Sequence, residues 1–264
     1  MPVTSRDKKM RVYHLHDSCI FKKNNEPFGE LSNMATIFPL KINGHEIKTS
    51  EALYQSCKYP FNPEVQREIC LVKSPMTAKM IGRTHSRKMR TDWNEVKVKI
   101  MKWCLKIKIA QHFITFGEAL IQTNGKNIVE NSSKDNFWGA IPNEDKTEFI
   151  GINALGRLLM ELREDINTNN VNSLLVVKPP ANVENFYLFG EKVIVQDERE
   201  SFITNFLSYL NMNKKYDSID LNIFGAILLN AIHHRSDFIA REKQTTGRNR
   251  SKVKKEKIQT IINF

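Results

Sequence analysis

The chain has 264 residues, with 40 Lys and Arg against 29 Asp and Glu, and a net charge of +11 at pH 7. Its 41% hydrophobic content is enough to bury a core, and 11 Gly with 9 Pro exclude collagen-like and low-complexity chains. The longest nearly apolar run, at 223–232, is shorter than the roughly 20 residues of a membrane span, and the charged N-terminus lacks the apolar stretch of a signal peptide. These features predict a soluble, cytoplasmic protein with no membrane partner.

The positive charge is concentrated at the two ends of the chain. Residues 241–257 carry eight basic and two acidic side chains, and the first eleven residues carry four basic and one acidic, so the stretch between them is nearly neutral. Basic ends of this kind either bind nucleic acid or remain solvated, and the composition leaves both interpretations open. The four cysteines are scattered without a C-x-x-C pair or a nearby histidine, which favours reduced thiols over zinc ligands.

Turn signals, helix caps and hydrophobic periodicity predict the secondary structure. In the first half of the chain the predicted elements are a hairpin over 35–48 with Asn43-Gly44 as its turn, a helix capped by Thr49-Ser50 that continues to Pro60, and helices over 63–70, 75–82, 93–114 and 116–122. A loop over 126–142 and a helix over 153–164 follow. Beyond them, the sequence predicts strands or a hairpin over 174–177 and 187–195, and helices over 198–210 and 219–241. The helix over 93–114 has the clearest signal, because its apolar residues recur at alternating spacings of four and three. Its lysines lie largely away from that apolar face and are typical of a solvated row: Lys97, Lys99, Lys102, Lys106 and Lys108.

A polar run, INTNNVNS, follows Asp165 and marks a domain boundary. The predicted organisation is a basic N-terminal lead at 1–17, a main domain at 18–166, a C-terminal extension or small second domain at 167–240, and a basic tail at 241–264.

Polar residues in apolar surroundings are the candidates for chemistry. Glu51, Gln55 and Lys58 fall at i, i+4 and i+7 of one helix and form a polar stripe. The structural alternative for Glu51 is that the helix dipole favours an acid in the first turn. In the loop at 126–142, Asp135 stands beside Trp138, and Gly139 allows a ligand to approach the backbone closely.

Six segments occur together in the chain: FGELSNM at 28–34, TSEALYQSCKY at 49–59, SPMTAKMIGRTHS at 74–86, DWNEVK at 92–97, DNFWG at 135–139 and GINALGRLLMELRE at 151–164. In this order they resemble the YbiA-like N-glycosidases of the NADAR superfamily, over residues 18–166. The chain departs from the family pattern at Ala52, where the family often has histidine, and at Thr84-His85, where it has D-R. Residues 167–264 resemble nothing recognised.

The resemblance implies an α+β fold, a mostly helical NADAR-like domain with a few short strands, to which a smaller mixed α/β C-terminal extension is added. It also implies a hydrolase of N-glycosyl bonds. The first substrate class is the phosphoribosylamino-pyrimidine intermediates of riboflavin biosynthesis, cleaved to free pyrimidine and ribose 5-phosphate. The alternatives are hydrolysis of ADP-ribosyl-guanine in nucleic acid or nucleotides, and a binding module that retains ADP-ribose or a nucleotide without cleaving it.

The family's essential acid maps onto Glu51, and its invariant lysine maps onto Lys58, which family analogy permits to form a Schiff base with the opened sugar. Asp135 is the predicted second proton-transfer group. The predicted substrate-binding residues are Phe28, Ser32, Asn33, Gln55, Arg83, Trp93, Trp138, Gly139 and Asn153. The resemblance implies no metal and no redox cofactor. The predicted partners are a small phosphorylated nucleotide-like substrate and, through the basic tail, nucleic acid.

Overall fold

The structure, a computed structural model, describes residues 9–168 and 174–212. The α-helices in this part of the chain are α1 Ser50–Ser56, α2 Pro63–Leu71, α3 Pro75–Thr84, α4 Trp93–Gln111, α5 Phe113–Ile121, α6 Ala154–Asn167 and α7 Arg199–Met212. The basic tail, the helix predicted over 219–241 and most of the first eleven residues lie outside the described residues. None of the described helices is both long and apolar enough to cross a membrane.

The strands are short and form several small sheets, which confirms the predicted α+β class. They are β1 Arg11–His14, β2 Ser18–Phe21, β3 Leu40–Ile42, β4 His45–Ile47, β5 Asn127–Glu130, β6 Ile141–Pro142, β7 Glu148–Gly151, β8 Val176–Val177, β9 Tyr187–Leu188, β10 Glu191–Lys192 and β11 Gln196–Asp197. β1, β7 and β6 form an antiparallel sheet in that order, and β2 pairs in parallel with β5. The predicted hairpin is present as β3–β4, with Asn43 and Gly44 both at positive φ, although its first strand begins at Leu40.

The predicted cap of α1 is confirmed. Thr49 Oγ1 accepts a hydrogen bond of 3.1 Å from the backbone N–H of Ala52. The helix ends at Ser56, before Pro60, because the chain tightens into a turn there and Lys58 N–H bonds to a carbonyl three residues back. Proline also disfavours helical backbone in the residue before it.

The long helix predicted over 93–114 is two helices. At His112 the backbone leaves the helical region, with φ −125° and ψ 39°, and the His112 ring nitrogen lies 2.6 Å from the carbonyl oxygen of Pro39. The apolar periodicity continues through this break, since Phe113 and Ile114 are also buried. Periodicity alone therefore could not place the end of α4.

The segment 126–142, predicted as a loop, contains β5 and β6, so this prediction was wrong. β5 has only two buried apolar residues, Ile128 and Val129, which is too short a pattern to predict a strand. Its partner β2 is distant in the sequence, with Ser18 opposite Asn127. The strand is thus specified by tertiary pairing.

The C-terminal extension shares the main hydrophobic core. Phe186, Leu188, Phe202 and Phe206 belong to the same cluster of buried side chains as the helices α1 to α6. The extension is also joined to α2 by hydrogen bonds, because the side chain of Gln66 bonds to the backbone of β9 and its neighbours. Within the described residues, the extension therefore supports the helices that carry the candidate site.

Candidate active site

The first turn of α1 carries a buried carboxylate. Glu51 is only 6% exposed, and Gln55 Nε2 donates a hydrogen bond of 2.8 Å to Glu51 Oε1. The backbone N–H of Glu51 donates to the Asn33 carbonyl at 2.9 Å, which joins the loop at 28–34 to the helix. Because the helix dipole favours negative charge in its first turn, the fold favours an anion at this position.

Unpartnered polar atoms surround this carboxylate. Among the described residues, Gln55 Oε1, Asn33 Oδ1 and Ser50 Oγ are buried and have no hydrogen-bond partner. Buried polar groups in folded proteins nearly always have a partner. Ser50 and Gln55 lie on α1 with Glu51, and the Asn33 carbonyl accepts the Glu51 N–H. The other unpartnered buried atoms among the described residues belong to Arg90, Trp103 and Asn131.

Lys58 follows α1 and lies against an aromatic wall. Its Nζ is 5.3 Å from the ring centroid of Trp93 and 5.9 Å from that of Tyr54. Its carbonyl oxygen accepts a hydrogen bond of 2.8 Å from the backbone N–H of Arg90, which fixes the turn. Trp93, predicted to stack on a base, is itself buried.

The surroundings of Lys58 lower its pKa from 10.5 to about 8. Burial is the main cause, and the positive charges of Lys79 and Arg83 act in the same direction, while the negative charge of Glu51 opposes them. A substantial fraction of such an amine is neutral between pH 7 and 8. Lys58 therefore has the property that an amine nucleophile needs.

The two cations near Lys58 lie one turn apart on α3, a helix held close to α1. Tyr59 donates its hydroxyl hydrogen to the carbonyl of Gly82. A side chain at Gly82 would meet Gln55, because a Cβ there would lie 2.8 Å from Gln55 Oε1. This close approach places Lys79, half-buried, and Arg83, exposed, on the rim of the site.

Lys108 holds the loop at 28–34 in place. It was predicted to be solvated, but it is fully buried. Its Nζ donates to the carbonyls of Glu30 at 2.9 Å and Ser32 at 3.1 Å, and it lies 3.9 Å from the ring centroid of Phe116. Lys108 is stable in this buried position because loop carbonyls and aromatic faces replace the water that its ammonium group loses. Phe28, half-buried, begins the same loop.

Asp135 lies on an exposed turn and organises its own backbone. Its Oδ1 accepts hydrogen bonds from the backbone N–H groups of Phe137 at 3.0 Å and Trp138 at 2.9 Å. The half-buried Trp138 ring makes an edge contact with Tyr54, with centroids 5.6 Å apart. Trp138 therefore extends the aromatic surface that Trp93 and Tyr54 form beside Lys58.

Gly139 and Asn153 fix the end of β5 beside this turn. A Cβ at Gly139 would lie 2.5 Å from the carbonyl oxygen of Glu130, so only glycine fits there. The buried amide of Asn153 donates to the Ile128 carbonyl at 2.8 Å and accepts from the Glu130 N–H at 3.2 Å. In this structure both polar groups of Asn153 hold β5.

The structure thus assembles most of the predicted site around α1, namely Glu51, Gln55, Lys58, Asn33, Arg83, Trp93 and Trp138. Sequence reasoning did not select Tyr54, Lys79 or Glu130. Lys79 had a usable signal, because it lies one helical turn before Arg83. Glu130 had none, since the strand that carries it was not predicted. Within the described part of the chain, no group of three or more His, Cys, Asp or Glu could hold a metal ion.

Known proteins match this chain over the part that contains the site. The NADAR domain family model matches residues 20–167. The N-glycosidase YbiA of Escherichia coli strain K12 is 34% identical over 63% of this chain and 98% of its own length. The chloroplastic riboflavin biosynthesis protein PYRR of Zea mays is 35% identical over 55% of this chain, which corresponds to 25% of that longer protein. The NMR structure of E. coli YbiA is similar with a TM-score of 0.49 and 32% identity, over 65% of this chain and 96% of that one.

The chain belongs to the NADAR domain family. It is a hydrolase of the N-glycosidase class, to which its relatives are assigned by name. The C-terminal region beyond residue 167 lies outside the family match.

Proposed function

We propose that this N-glycosidase hydrolyses the C1′–N bond of phosphoribosylamino-pyrimidine intermediates of riboflavin biosynthesis, releasing free pyrimidine and ribose 5-phosphate. The observation that carries the proposal is the placement of the buried Glu51 carboxylate and the Lys58 amine on one helix and its following turn, among unpartnered buried polar atoms. A protein that only bound nucleotides would have no use for an amine of lowered pKa beside a buried carboxylate.

The chemistry assigned to Glu51 follows from the charge that develops during the reaction. Breaking the C1′–N bond leaves positive charge on the ribose, and a carboxylate held at that position stabilises it or accepts a proton from the attacking water. Gln55 holds the Glu51 carboxylate in place through its 2.8 Å hydrogen bond.

Lys58 is assigned to the opened form of the sugar. After the C1′–N bond has broken and water has added to C1′, the ring of ribose 5-phosphate opens to an aldehyde. The neutral amine of Lys58 attacks this aldehyde and loses water to give an imine, which water later hydrolyses to return the amine and the aldehyde. Lys79 and Arg83 at the rim supply positive charge for the 5′-phosphate of the sugar. The aromatic surface of Trp138 is assigned to the pyrimidine.

Riboflavin-related relatives support this substrate class. The Zea mays relative is named a riboflavin biosynthesis protein, as is a Vibrio vulnificus relative that is 26% identical over 62% of this chain and 45% of its own length. Both are longer than the matched segment, so their names refer to proteins with further parts.

The test is a comparison of substrates with the full chain. A phosphoribosylamino-pyrimidine, an ADP-ribosylated guanine nucleotide and an oligonucleotide carrying the same modification are each incubated with the enzyme, and the released base is quantified. The proposal predicts rapid release of pyrimidine from the first compound and slow or no release from the others. Faster cleavage of the ADP-ribosylated compounds would replace this substrate with the alternative one. Binding of ADP-ribose without cleavage of any compound would reduce the domain to a binding module.

A further inference from the structure

Glu130 presents an unpaired carboxyl group beside the candidate site. Glu130 is half-buried at the end of β5, and its carboxyl group makes no hydrogen bond or ion pair with any other described residue. The charged groups that influence the Glu130 carboxyl come from three different elements: Glu51 on α1, Asp135 on the turn that follows β5, and Lys79 on α3. These are groups of the candidate site, and the backbone of Glu130 contacts Gly139 and Asn153, two of the predicted site residues, so Glu130 lies beside that site.

The backbone of Glu130 is held firmly although its side chain is free. Its N–H bonds to Asn153 Oδ1 at 3.2 Å, and its carbonyl accepts a hydrogen bond of 2.8 Å from Ala140 N–H. Gly139 packs so closely on that carbonyl that no side chain would fit. Such support is typical of groups that must be held in position for a reaction.

We propose that Glu130 is the general acid that protonates the departing nitrogen when the C1′–N bond breaks, a role that rests on the proposed function. The electron pair of the C1′–N bond moves to the nitrogen, which takes the proton from the Glu130 carboxyl. The Glu51 carboxylate stabilises the positive charge on C1′. Water then adds to C1′, and the proton that it loses restores the acid on Glu130.

The electrostatic surroundings suit the two carboxyl groups to different tasks. Burial raises the pKa of Glu130 from 4.5 to about 7, the negative charges of Glu51 and Asp135 add to this effect, and Lys79 opposes it. A carboxyl group with this pKa keeps its proton in about half of the molecules at pH 7. Pairs of carboxyl groups in which one is ionised and the other protonated are the usual arrangement for cleaving glycosidic bonds.

Asp135 is less suited to this task. It lies on an exposed turn, and one of its carboxylate oxygens already accepts two backbone hydrogen bonds. The geometry therefore assigns Asp135 to positioning Trp138, and the proton transfer predicted for Asp135 to Glu130.

The experiment compares the pH dependence of kcat for the wild type and three variants on a phosphoribosylamino-pyrimidine. Because the acid must be protonated, wild-type kcat should decline on the alkaline side. Glu130→Gln should lower kcat by about 10²–10⁴-fold and abolish that decline. Asp135→Asn should retain the decline, and Glu161→Gln, on the exposed face of α6, should match the wild type. A Glu130→Gln variant with wild-type kcat and an unchanged decline would overturn the proposal.

A second measurement does not depend on activity. Titration of the glutamate carboxyl ¹³C signals of the wild type should show one group, assigned to Glu130 with a Glu130→Asp variant, that titrates near pH 7. A Glu130 carboxyl that titrates near 4.5 would overturn the assignment. If the wild type cleaves no N-ribosyl compound, the proposed function fails and this inference fails with it. If the wild type is active and Glu130→Gln is equally active, only this inference fails.

Discussion

Two buried glutamines on neighbouring helices show the difference between the site and its support. On α2, Gln66 uses both ends of its amide: Nε2 donates to the carbonyls of Tyr187 at 3.0 Å and Ser56 at 3.3 Å, and Oε1 accepts from the N–H of Phe189 at 2.5 Å. On α1, Gln55 donates to Glu51 but leaves its buried Oε1 without a partner in the described part of the chain. The same residue type is thus fully satisfied where it holds the extension and only partly satisfied where it holds Glu51.

This contrast distinguishes polar side chains that hold the fold together from polar side chains near Glu51. An unsatisfied buried polar group costs about 1–3 kcal/mol, so a fold tolerates several together only where something compensates for them. In the extension, polar groups join the β9–β10 segment to α2, as Arg67 also does by donating to the Phe189 carbonyl. The proposed function assigns the unsatisfied atoms near Glu51 to a substrate. The contrast can be tested by substitutions on each side.

The largest effect is expected at Glu51. Glu51→Gln keeps the shape of the side chain but removes its charge and basicity, so kcat should fall by about 10²–10⁴-fold while the protein folds normally. The measurement is kcat together with the thermal unfolding midpoint. Glu161→Gln is the matched control on an exposed surface. Near-wild-type turnover in a folded Glu51→Gln variant would leave Glu51 with only the helix-dipole role.

Lys58 is expected to form a covalent adduct. Borohydride added during turnover should trap the sugar on Lys58, and trapping should increase as the pH rises through about 8, because the neutral amine is the attacking form. Lys58→Arg should abolish trapping, since arginine keeps the charge but cannot form the imine. The adduct is located by mass spectrometry of peptides. An active Lys58→Arg variant, with no adduct in the wild type, would limit Lys58 to a positive charge that positions phosphate.

The two glutamines allow a matched comparison. Gln66→Met removes the hydrogen bonds to the Phe189 N–H and the Tyr187 carbonyl, while the Ser56 carbonyl keeps its bond from the Tyr59 N–H. The free energy of unfolding should therefore fall by about 1–3 kcal/mol. Gln55→Met should reduce stability less but lower kcat/KM by about 10-fold or more, because it removes a hydrogen bond to a charged group. Urea unfolding and steady-state kinetics measure the two effects. Equal losses of stability in the two variants would remove the distinction between site and support.

The smallest effect on the small substrate is expected from the basic tail. Deleting residues 241–264 should leave hydrolysis of a phosphoribosylamino-pyrimidine unchanged, because the residues assigned to binding it lie at 28–153. If modified nucleic acid is a substrate, the deletion should weaken that reaction and flatten its salt dependence, by a slope of about 0.9 per lost phosphate contact on duplex DNA. Circular dichroism checks that the shortened chain folds. Identical behaviour of both chains on an oligonucleotide at every salt concentration would exclude the tail as a binding element.

The features that the sequence could predict are those specified by residues close together in the chain. The Thr49 cap, the Asn43-Gly44 turn and the Glu51–Gln55–Lys58 stripe all depend on residues close together in the chain, and the cap and the turn are confirmed. Glu130 lies on a strand specified by a distant partner, and no local pattern marks it. Lys108 was misinterpreted because nothing in its own helix shows that carbonyls from the loop at 28–34 replace water around its ammonium.

The most direct test of the central claim is the product balance of the reaction with a phosphoribosylamino-pyrimidine. The account predicts that the wild type releases free pyrimidine and ribose 5-phosphate in equal amounts, with both products measured by mass spectrometry during the same time course. Glu51→Gln should release both about 10²–10⁴-fold more slowly. A product in which the ribose remains attached to the pyrimidine, or equal release by the folded Glu51→Gln variant, would contradict it.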